Sequence, residues 1–172
     1  MAKRFTTLIK INLGCCDLPL EGWINIDEST SPHIKADLVA NALDLSAHFK
    51  PESVDEIYAG HLLEHLYPDQ ANSAILHWKS LLKPGGKLGI VTPDFKYICE
   101  QYLSGAVDLY EVNNLYLYSY VQESGHKWMW DLPSLMQLLE IHGFNNIRPI
   151  DKMNDEKLAY KVEWQTGAEG TR

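Results

Sequence analysis

Histidine and carboxylate side chains that could take part in proton transfer occur at three places in the chain. His61 follows a short apolar segment, residues 54–59, that is typical of a β-strand. A histidine at a strand end suits acid–base chemistry because its unperturbed pKa lies near neutral pH. His126 lies in an aromatic stretch, and Asp94 precedes a helical pattern, where it is either an N-cap or a base. His61, His126 and Asp94 are therefore the candidate catalytic residues, each with a structural alternative.

The segment His61-Leu62-Leu63-Glu64-His65 has the spacing H-x-x-E-H. On a helix, the two histidines would share a face and could hold Zn²⁺ with Glu64 as the base, as in zinc peptidases. His61, however, lies at the end of a predicted strand, and no third ligand segment is evident. We predict no metal site, keep the peptidase as an alternative, and expect Glu64 and His65 to brace the start of a helix.

A glycine turn and a carboxylate indicate the class of ligand. Residues 8–13 predict a buried strand that stops at Gly14, and residues 23–27 predict a second strand that ends at Asp27, whose carboxylate could accept both hydroxyls of a ribose. The link 14–23 is too short, and too interrupted by proline, for the crossover helix that holds a dinucleotide's pyrophosphate. S-adenosylmethionine, which has no phosphate, therefore fits better than NAD or FAD. The alternative is a plain turn and a solvated carboxylate.

The composition limits the class of protein. The 172 residues predict a single domain, 1–172, and 45% hydrophobic with 22% charged residues is typical of an ordinary globule. A net charge of −8 disfavours nucleic-acid binding. No apolar run approaches the roughly 20 residues of a membrane span, and no signal peptide is apparent. Three cysteines, two of them adjacent, fit neither a disulfide framework nor a zinc ribbon, so we expect a cytoplasmic protein.

Strand and helix patterns alternate along the chain. After the first two strands, we predict strands at 34–39, 54–59, 87–92, 146–150 and 158–164, helices at 68–82, after Asp94 and at 132–142, a turn at 83–86 and a frayed tail at 167–172. This order predicts an α/β fold, a Rossmann-like three-layer sandwich with a mostly parallel sheet and an antiparallel last strand. One further segment is rich in aromatic residues, which either wall an acceptor pocket or cover the sheet: Tyr110, Tyr116, Tyr118, Tyr120, Trp128 and Trp130.

Taken together, the ordered motifs resemble the class I S-adenosylmethionine-dependent methyltransferases, in particular small members with a shortened first crossover. The likeness covers residues 8–165. It rests on residues 12–16 (NLGCC), 22–27 (GWINID), 54–61 (VDEIYAGH), 63–66 (LEHL), 81–86 (LLKPGG), 92–94 (TPD), 126–128 (HKW) and 138–144 (LLEIHGF).

The resemblance implies a role for each matching position in holding S-adenosylmethionine. The glycine turn would face the methionine portion of the cofactor, the carboxylates after the second strand would hold the ribose, and the segment after the third strand would clasp adenine. The end of the fourth strand would lie near the methyl group. These positions are, in the same order, Leu13, Gly14, Cys15 and Cys16; Asp27 and Glu28; Asn41, Ala42 and Leu43; and Gly60 and His61.

Two positions depart from the family pattern: Cys16 stands where a second glycine is usual, and Asn12 where an acid is more common. The resemblance implies an enzyme that transfers a methyl group from S-adenosylmethionine to an oxygen or nitrogen of a small molecule or glycan. The alternative is a non-catalytic module that binds S-adenosylmethionine. The expected partner is the acceptor molecule, and a homodimer is compatible with the exposed edges of a small sheet.

Overall fold

One seven-stranded sheet organises the protein, and a computed structural model describes residues 8–116, 125–151, 155, 157 and 163–172. The strands lie in the order β3-β2-β1-β4-β5-β7-β6; β7 is antiparallel to both of its neighbours and the other pairs are parallel. The elements are β1 (Lys10–Leu13), β2 (Ile24–Asp27), β3 (Leu38–Val39), β4 (Val54–Gly60), α1 (Pro68–Leu81), β5 (Leu82–Pro93), α2 (Phe95–Leu103), α3 (Leu109–Tyr116), α4 (Leu132–Ile141), β6 (Asn145–Pro149) and β7 (Gln165–Thr171). The predicted Rossmann-like fold and the antiparallel last strand are confirmed.

The main core lies on one face of the sheet, where α1 and α4 pack. Alternate residues of a strand point to opposite faces, so Ile11 and Leu13 of β1 share a face with Ile57 of β4, and all three are fully buried. In α1, apolar residues three and four apart form the matching stripe, with Trp78 fully buried at its centre. Trp78 donates its indole N–H to the carbonyl of Ala42 at 2.8 Å, which ties α1 to the loop after β3.

The opposite face carries a smaller cluster. Tyr58, Val91 and Ile150 form it, with Leu20 and Trp23 packed against them. Leu20 and Trp23 belong to the link between β1 and β2, so loop segments rather than helices provide this layer in the part of the chain that the structure describes. As a result, the carboxyl end of β1 is open beside that link.

The link 14–23 joins two parallel strands without a helix because a buried amide side chain holds it. Asn25 accepts the backbone N–H of Leu20 at 2.8 Å and the side-chain amide of Asn12 at 3.0 Å. Its own amide donates to the Leu20 carbonyl and to the Asp37 carboxylate. Two turns complete the connection, in which the Leu18 N–H donates to Cys15 and the Trp23 N–H to Leu20.

Three predictions about the end of the chain and the strand register need correction. The tail 167–172 is not frayed, because β7 fills residues 165–171 between β5 and β6, and Gly167 and Ala168 are buried there. The strand predicted at 158–164 does not reach its predicted end, because residues 163 and 164 form a turn before β7; residues 158–162 lie outside the described part. The turn expected at 83–86 is an irregularity inside β5, where the pairing with β4 shifts.

The helix boundaries largely follow the sequence. Asp94 is the N-cap of α2 and accepts the backbone N–H groups of Lys96 and Tyr97. Asp131 and Ser134 form a capping box at the start of α4, and Gly143 follows its end with a φ of +69°. Among the described residues, no helix is long and apolar enough to cross a membrane.

The Asn25 contacts predict how the fold responds to its loss. Asn25→Ala leaves the Leu20 N–H and the Asn12 amide without their acceptor, and each buried unsatisfied group costs about 1–3 kcal/mol. We expect the free energy of unfolding, measured by urea titration, to fall by about 2–4 kcal/mol. Asn114→Ala, at an exposed position of α3, is the matched control and should change it by less than about 0.5 kcal/mol. Equal stability of the two variants would show that the link does not depend on this amide.

Candidate active site

A cleft opens at the carboxyl ends of β1 and β4, where ligands bind in parallel α/β sheets. Its volume is about 320 Å³. Because β7 is antiparallel, its first residue, Gln165, reaches the same edge, opposite Pro93. The lining residues are Asn12, Gly14, Cys15, Cys16, Asp17, Leu18, Leu20, Tyr58, Gly60, His61, His65, Lys157, Trp164 and Gln165.

The turn after β1 forms one wall of this cleft. Gly14 has a φ of +66°, in the left-handed region that favours glycine, and Cys16 takes a φ of +51°. The backbone N–H of Cys16 donates to the Asp27 carboxylate at 3.0 Å, and the other oxygen of that carboxylate accepts the Ser29 N–H at 2.9 Å. Asp27 therefore holds the turn in shape from the end of the neighbouring strand.

The two cysteines of the turn differ in environment. Cys15 is buried, whereas the Cys16 side chain is exposed at the cleft. Burial, together with the negative charge of Asp27, raises the pKa of the Cys15 thiol to about 11, so this thiol is protonated at neutral pH. Nothing in this environment activates Cys15 as a nucleophile.

The other predicted cofactor positions lie around this turn but do not line the cleft. Leu13 is fully buried in the main core, and Glu28 is exposed beside Asp27. The Asn41 side chain accepts the Leu43 N–H at 2.8 Å, which closes a small turn after β3. Ala42 contributes its carbonyl to the Trp78 indole. This loop is thus fixed from the α1 side, with the exposed Asn41 at its tip.

Gly60 ends β4 in close contact with an aromatic ring. A Cβ at Gly60 would lie only 2.8–3.0 Å from the ring and hydroxyl of Tyr58, two residues earlier on the same face. The Tyr58 ring is itself buried and packs edge-on against Trp23, with centroids 6.5 Å apart. A side chain at position 60 would require the buried Tyr58 ring to shift.

His61 follows Gly60 with a φ of +53°, and both nitrogens of its ring have partners. Nδ1 lies 3.2 Å from a carboxylate oxygen of Glu64, and Nε2 lies 3.1 Å from the side-chain oxygen of Gln165. Burial lowers the pKa of His61, but the hydrogen bond and charge of Glu64, with the Gln165 contact, outweigh burial and raise it above its usual value. The ring also packs against Trp164, with centroids 5.4 Å apart.

The structure overturns the premise of the zinc-peptidase alternative. His61 does not lie on a helix, because the helical turn that follows β4 is a 3₁₀ turn limited to Leu63–His65. His61 and His65 therefore do not share a helical face, and the H-x-x-E-H spacing does not make them a ligand pair.

The remaining candidates lie beside the cleft. The Asp94 carboxylate caps α2, which supports the structural alternative for this residue. The His126 ring packs edge-on against that of His65, with centroids 4.9 Å apart. In the aromatic segment, Tyr110 is exposed, Trp128 is half-exposed and Trp130 is buried, while Tyr118 and Tyr120 lie outside the described residues. None of the described aromatic side chains of this segment lines the cleft.

Sequence analysis missed the residues that the end of the chain brings to the cleft. Gln165 is the first residue of β7, and Trp164 directly precedes it, whereas the last strand was predicted at residues 158–164. Lys157 contacts Glu56 at 3.3 Å, Asp155 at 3.4 Å and Glu169 at 3.6 Å. Burial lowers the pKa of Lys157, but these carboxylates outweigh burial and raise it, so the ammonium stays charged and its charge is compensated. The cleft wall is therefore not cationic.

Known proteins share the fold of this chain and one of its segments. Residues 24–90 match a family model described as a methyltransferase domain. A search of curated proteins found no match.

Solved structures share the fold at low identity. An S-adenosylmethionine-dependent methyltransferase from Archaeoglobus fulgidus is 14% identical, with a TM-score of 0.64 over 98% of this chain and 88% of that one. A possible histamine N-methyltransferase from Thermotoga maritima is 18% identical, with a TM-score of 0.63 over 95% and 81%. A Burkholderia thailandensis 1,6-didemethyltoxoflavin-N1-methyltransferase, solved with that compound and S-adenosylhomocysteine, is 12% identical, with a TM-score of 0.59 over 95% and 70%. The methyltransferase-domain match covers about two fifths of the chain, and the shared strand order agrees with it, so the chain is similar to S-adenosylmethionine-dependent methyltransferases in fold and in this central segment.

Proposed function

We propose that this chain, as one domain spanning residues 1–172, is an S-adenosylmethionine-dependent methyltransferase that acts on an oxygen or nitrogen of a compact ring-bearing acceptor, either a small molecule or a sugar of a glycan. The observation that carries the proposal is the position of His61. Its ring stands at the carboxyl end of β4 inside the cleft, packed against the half-exposed ring of Trp164. An aromatic plane beside a polar ring nitrogen suits the flat face of an acceptor that carries a hydroxyl or an amine.

The residues of the cleft fit S-adenosylmethionine. The positive-φ turn at Gly14 and Cys16 leaves room for close approach, and Gly60 keeps a side chain out of the floor. The carboxylates of Asp17 and Asp27 lie at or beside the cleft, while the charge of Lys157 is compensated, so the site favours a cationic ligand. When bound, this cofactor supplies a methyl group on a sulfonium.

The proposal gives each cofactor residue the role that the family resemblance implies. Gly14, Cys15 and Cys16, which follow the buried Leu13, would hold the methionine portion. Asp27 would hold the ribose, with Glu28 beside it. The turn of Asn41, Ala42 and Leu43 would contact adenine through its exposed tip, and Gly60 and His61 would border the methyl group.

The chain's own part in the reaction is to orient the acceptor and to receive its proton. Glu64 holds the Nδ1 side of His61, which directs Nε2 into the cleft. Gln165 occupies the hydrogen-bonding position at Nε2, and an acceptor hydroxyl or amine would take the place of its amide. In the neutral form of His61, with its proton on Nδ1 and donated to Glu64, Nε2 has a free lone pair and takes the acceptor's proton as the new bond to the methyl group forms.

The cofactor assignment predicts the effect of removing Asp27. Asp27→Ala removes both the ribose acceptor and the hydrogen bond that shapes the turn at Cys16. We expect the Kd for S-adenosylhomocysteine, measured by calorimetric titration, to rise about 5- to 150-fold, equivalent to about 1–3 kcal/mol. Asp69→Ala, at an exposed position of α1, is the control and should leave the Kd unchanged. An unaltered Kd in Asp27→Ala would remove Asp27 from the site.

The role of His61 predicts a separation of binding from turnover. We expect His61→Asn to lower the rate of S-adenosylhomocysteine formation with a panel of hydroxyl and amine ring compounds by about 10²- to 10⁴-fold. Its Kd for S-adenosylhomocysteine should change less than tenfold, because the turn at Gly14 and Asp27 is intact. His48→Asn, at an exposed position, is the matched control.

Two outcomes would contradict this assignment. Full turnover in His61→Asn would exclude His61 as the base. Tight S-adenosylhomocysteine binding by the wild-type chain, without turnover on any acceptor of the panel, would favour the non-catalytic binding module instead.

A further inference from the structure

Three metal-binding side chains converge beside the cleft, and the function proposed above uses none of them as a ligand. Glu64, His65 and His126 each offer one ligand atom, and these three atoms all lie within 4.8 Å of one another. Two come from the 3₁₀ turn after β4, and the third comes from a segment about 60 residues later in the chain. The cluster is therefore a product of the fold and not of a local sequence motif.

The Glu64 carboxylate is the unusual member of the cluster. The side chain is only 2% exposed, and one oxygen, Oε1, contacts His61. The other oxygen, Oε2, is buried and has no hydrogen-bond partner among the described residues. Nδ1 of His65 is likewise buried and has no hydrogen-bond partner among the described residues. Burying a carboxylate oxygen without a partner is unfavourable, so Oε2 lacks a hydrogen-bond donor or a cation.

The backbone holds the two halves of the cluster together. The N–H of Lys127 donates to the carbonyl of Glu64 at 2.7 Å, and the N–H of Trp128 reaches the same carbonyl at 3.2 Å. These bonds dock the segment that carries His126 directly onto the residue that carries the carboxylate. Side-chain rotations alone can therefore bring the ligand atoms closer, without moving either segment.

We propose that Glu64, His65 and His126 form a binding site for Zn²⁺. Two imidazoles and one carboxylate are a common ligand set for Zn²⁺ when one coordination position stays open. Tetrahedral ligands at ~2.0–2.1 Å from zinc are separated by roughly 3.3 Å, so the widest pair must contract by no more than about 1.5 Å. The His61 contact to Oε1 acts as the outer partner that orients the ligating carboxylate.

The proposed site lies beside the region where an acceptor would bind. His65 lines the cleft together with His61, so a fourth ligand on the metal would be water or a group in the cleft. The H-x-x-E-H spacing suggested a different trio, with His61 as a ligand and Glu64 as a base. The structure replaces His61 by His126, because His61 turns toward Glu64 and Gln165 and is not helical.

Metal titration of the whole chain tests the site without any need for turnover. We expect the chelator-treated wild-type protein to bind one equivalent of Zn²⁺ by calorimetry, and Co²⁺ to give the visible absorption of a tetrahedral site. Glu64→Gln and His126→Ala should each weaken binding at least about 100-fold, since the loss of an outer partner alone costs 10- to 100-fold. His33→Ala, an exposed histidine outside the cluster, is the matched control and should bind as the wild type.

The thermal midpoint gives a second readout that separates misfolding from loss of the site. In the absence of metal, Glu64→Gln should unfold at or above the wild-type temperature, because it removes a buried charge. Added Zn²⁺ should raise the midpoint of the wild type and of His33→Ala but not that of Glu64→Gln. No Zn²⁺ binding by the wild type would overturn the proposal. So would equal binding by Glu64→Gln, or a sulfur-to-cobalt charge-transfer band, which would assign the metal to Cys15 and Cys16.

Discussion

The site depends on the amide side chain of Asn25, because this side chain holds the short link between β1 and β2 in place. A parallel pair of strands ordinarily needs a crossover of a dozen or more residues, and this chain makes the connection in ten, residues 14–23. Asn25 provides acceptors and donors for Leu20, Asn12 and Asp37, so the link is held by side-chain hydrogen bonds where a helix would have held itself. That short link leaves the carboxyl ends of β1 and β4 open on one side. The cleft lies there.

The same network explains a departure from the family pattern. An acid at position 12 would point a carboxylate at the oxygen of Asn25, which is already fixed as an acceptor by the Leu20 N–H. The amide of Asn12 donates instead, at 3.0 Å. Asn12 is thus explained by the shortened crossover, and the lost negative charge is made up at the cleft by Asp17 and by Asp27, which also ties down Cys16.

A structural feature could be predicted from the sequence where the residues that form it lie close together in the chain. The spacing of apolar residues and the capping residues predicted α1, the cap at Asp94 and the end of α4. The glycine turn and Asp27 were also predicted, because each of these features depends on a few neighbouring residues. The partners of His61 and the ligands around Glu64 are not local. Gln165 reaches His61 through β7, and the docking of its segment brings His126 near Glu64, so the spacing at 61–65 predicts neither contact. The tail was misread for the same reason: small residues such as Gly167 look frayed until they lie against β5, where a Cβ would meet the Ile90 carbonyl at 2.7 Å.

The proposed binding site for the methyl donor is built from residues close together in the sequence. The proposed acceptor side of the cleft is built from residues far apart in the sequence. The proposed cofactor positions lie on β1, β2, β3 and β4 and the turns that follow them, and the methyltransferase-domain match covers all of these except β1 and the glycine turn. His61 lies where the two sides meet, with one nitrogen on Glu64 of the next turn and the other on Gln165 of the last strand. Trp164, Gln165 and Lys157, which form the far wall, come from the end of the chain. Proteins that share this sheet can therefore keep one methyl donor while the last strand changes the acceptor, and we expect specificity to depend on Lys157, Trp164 and Gln165 rather than on the glycine turn.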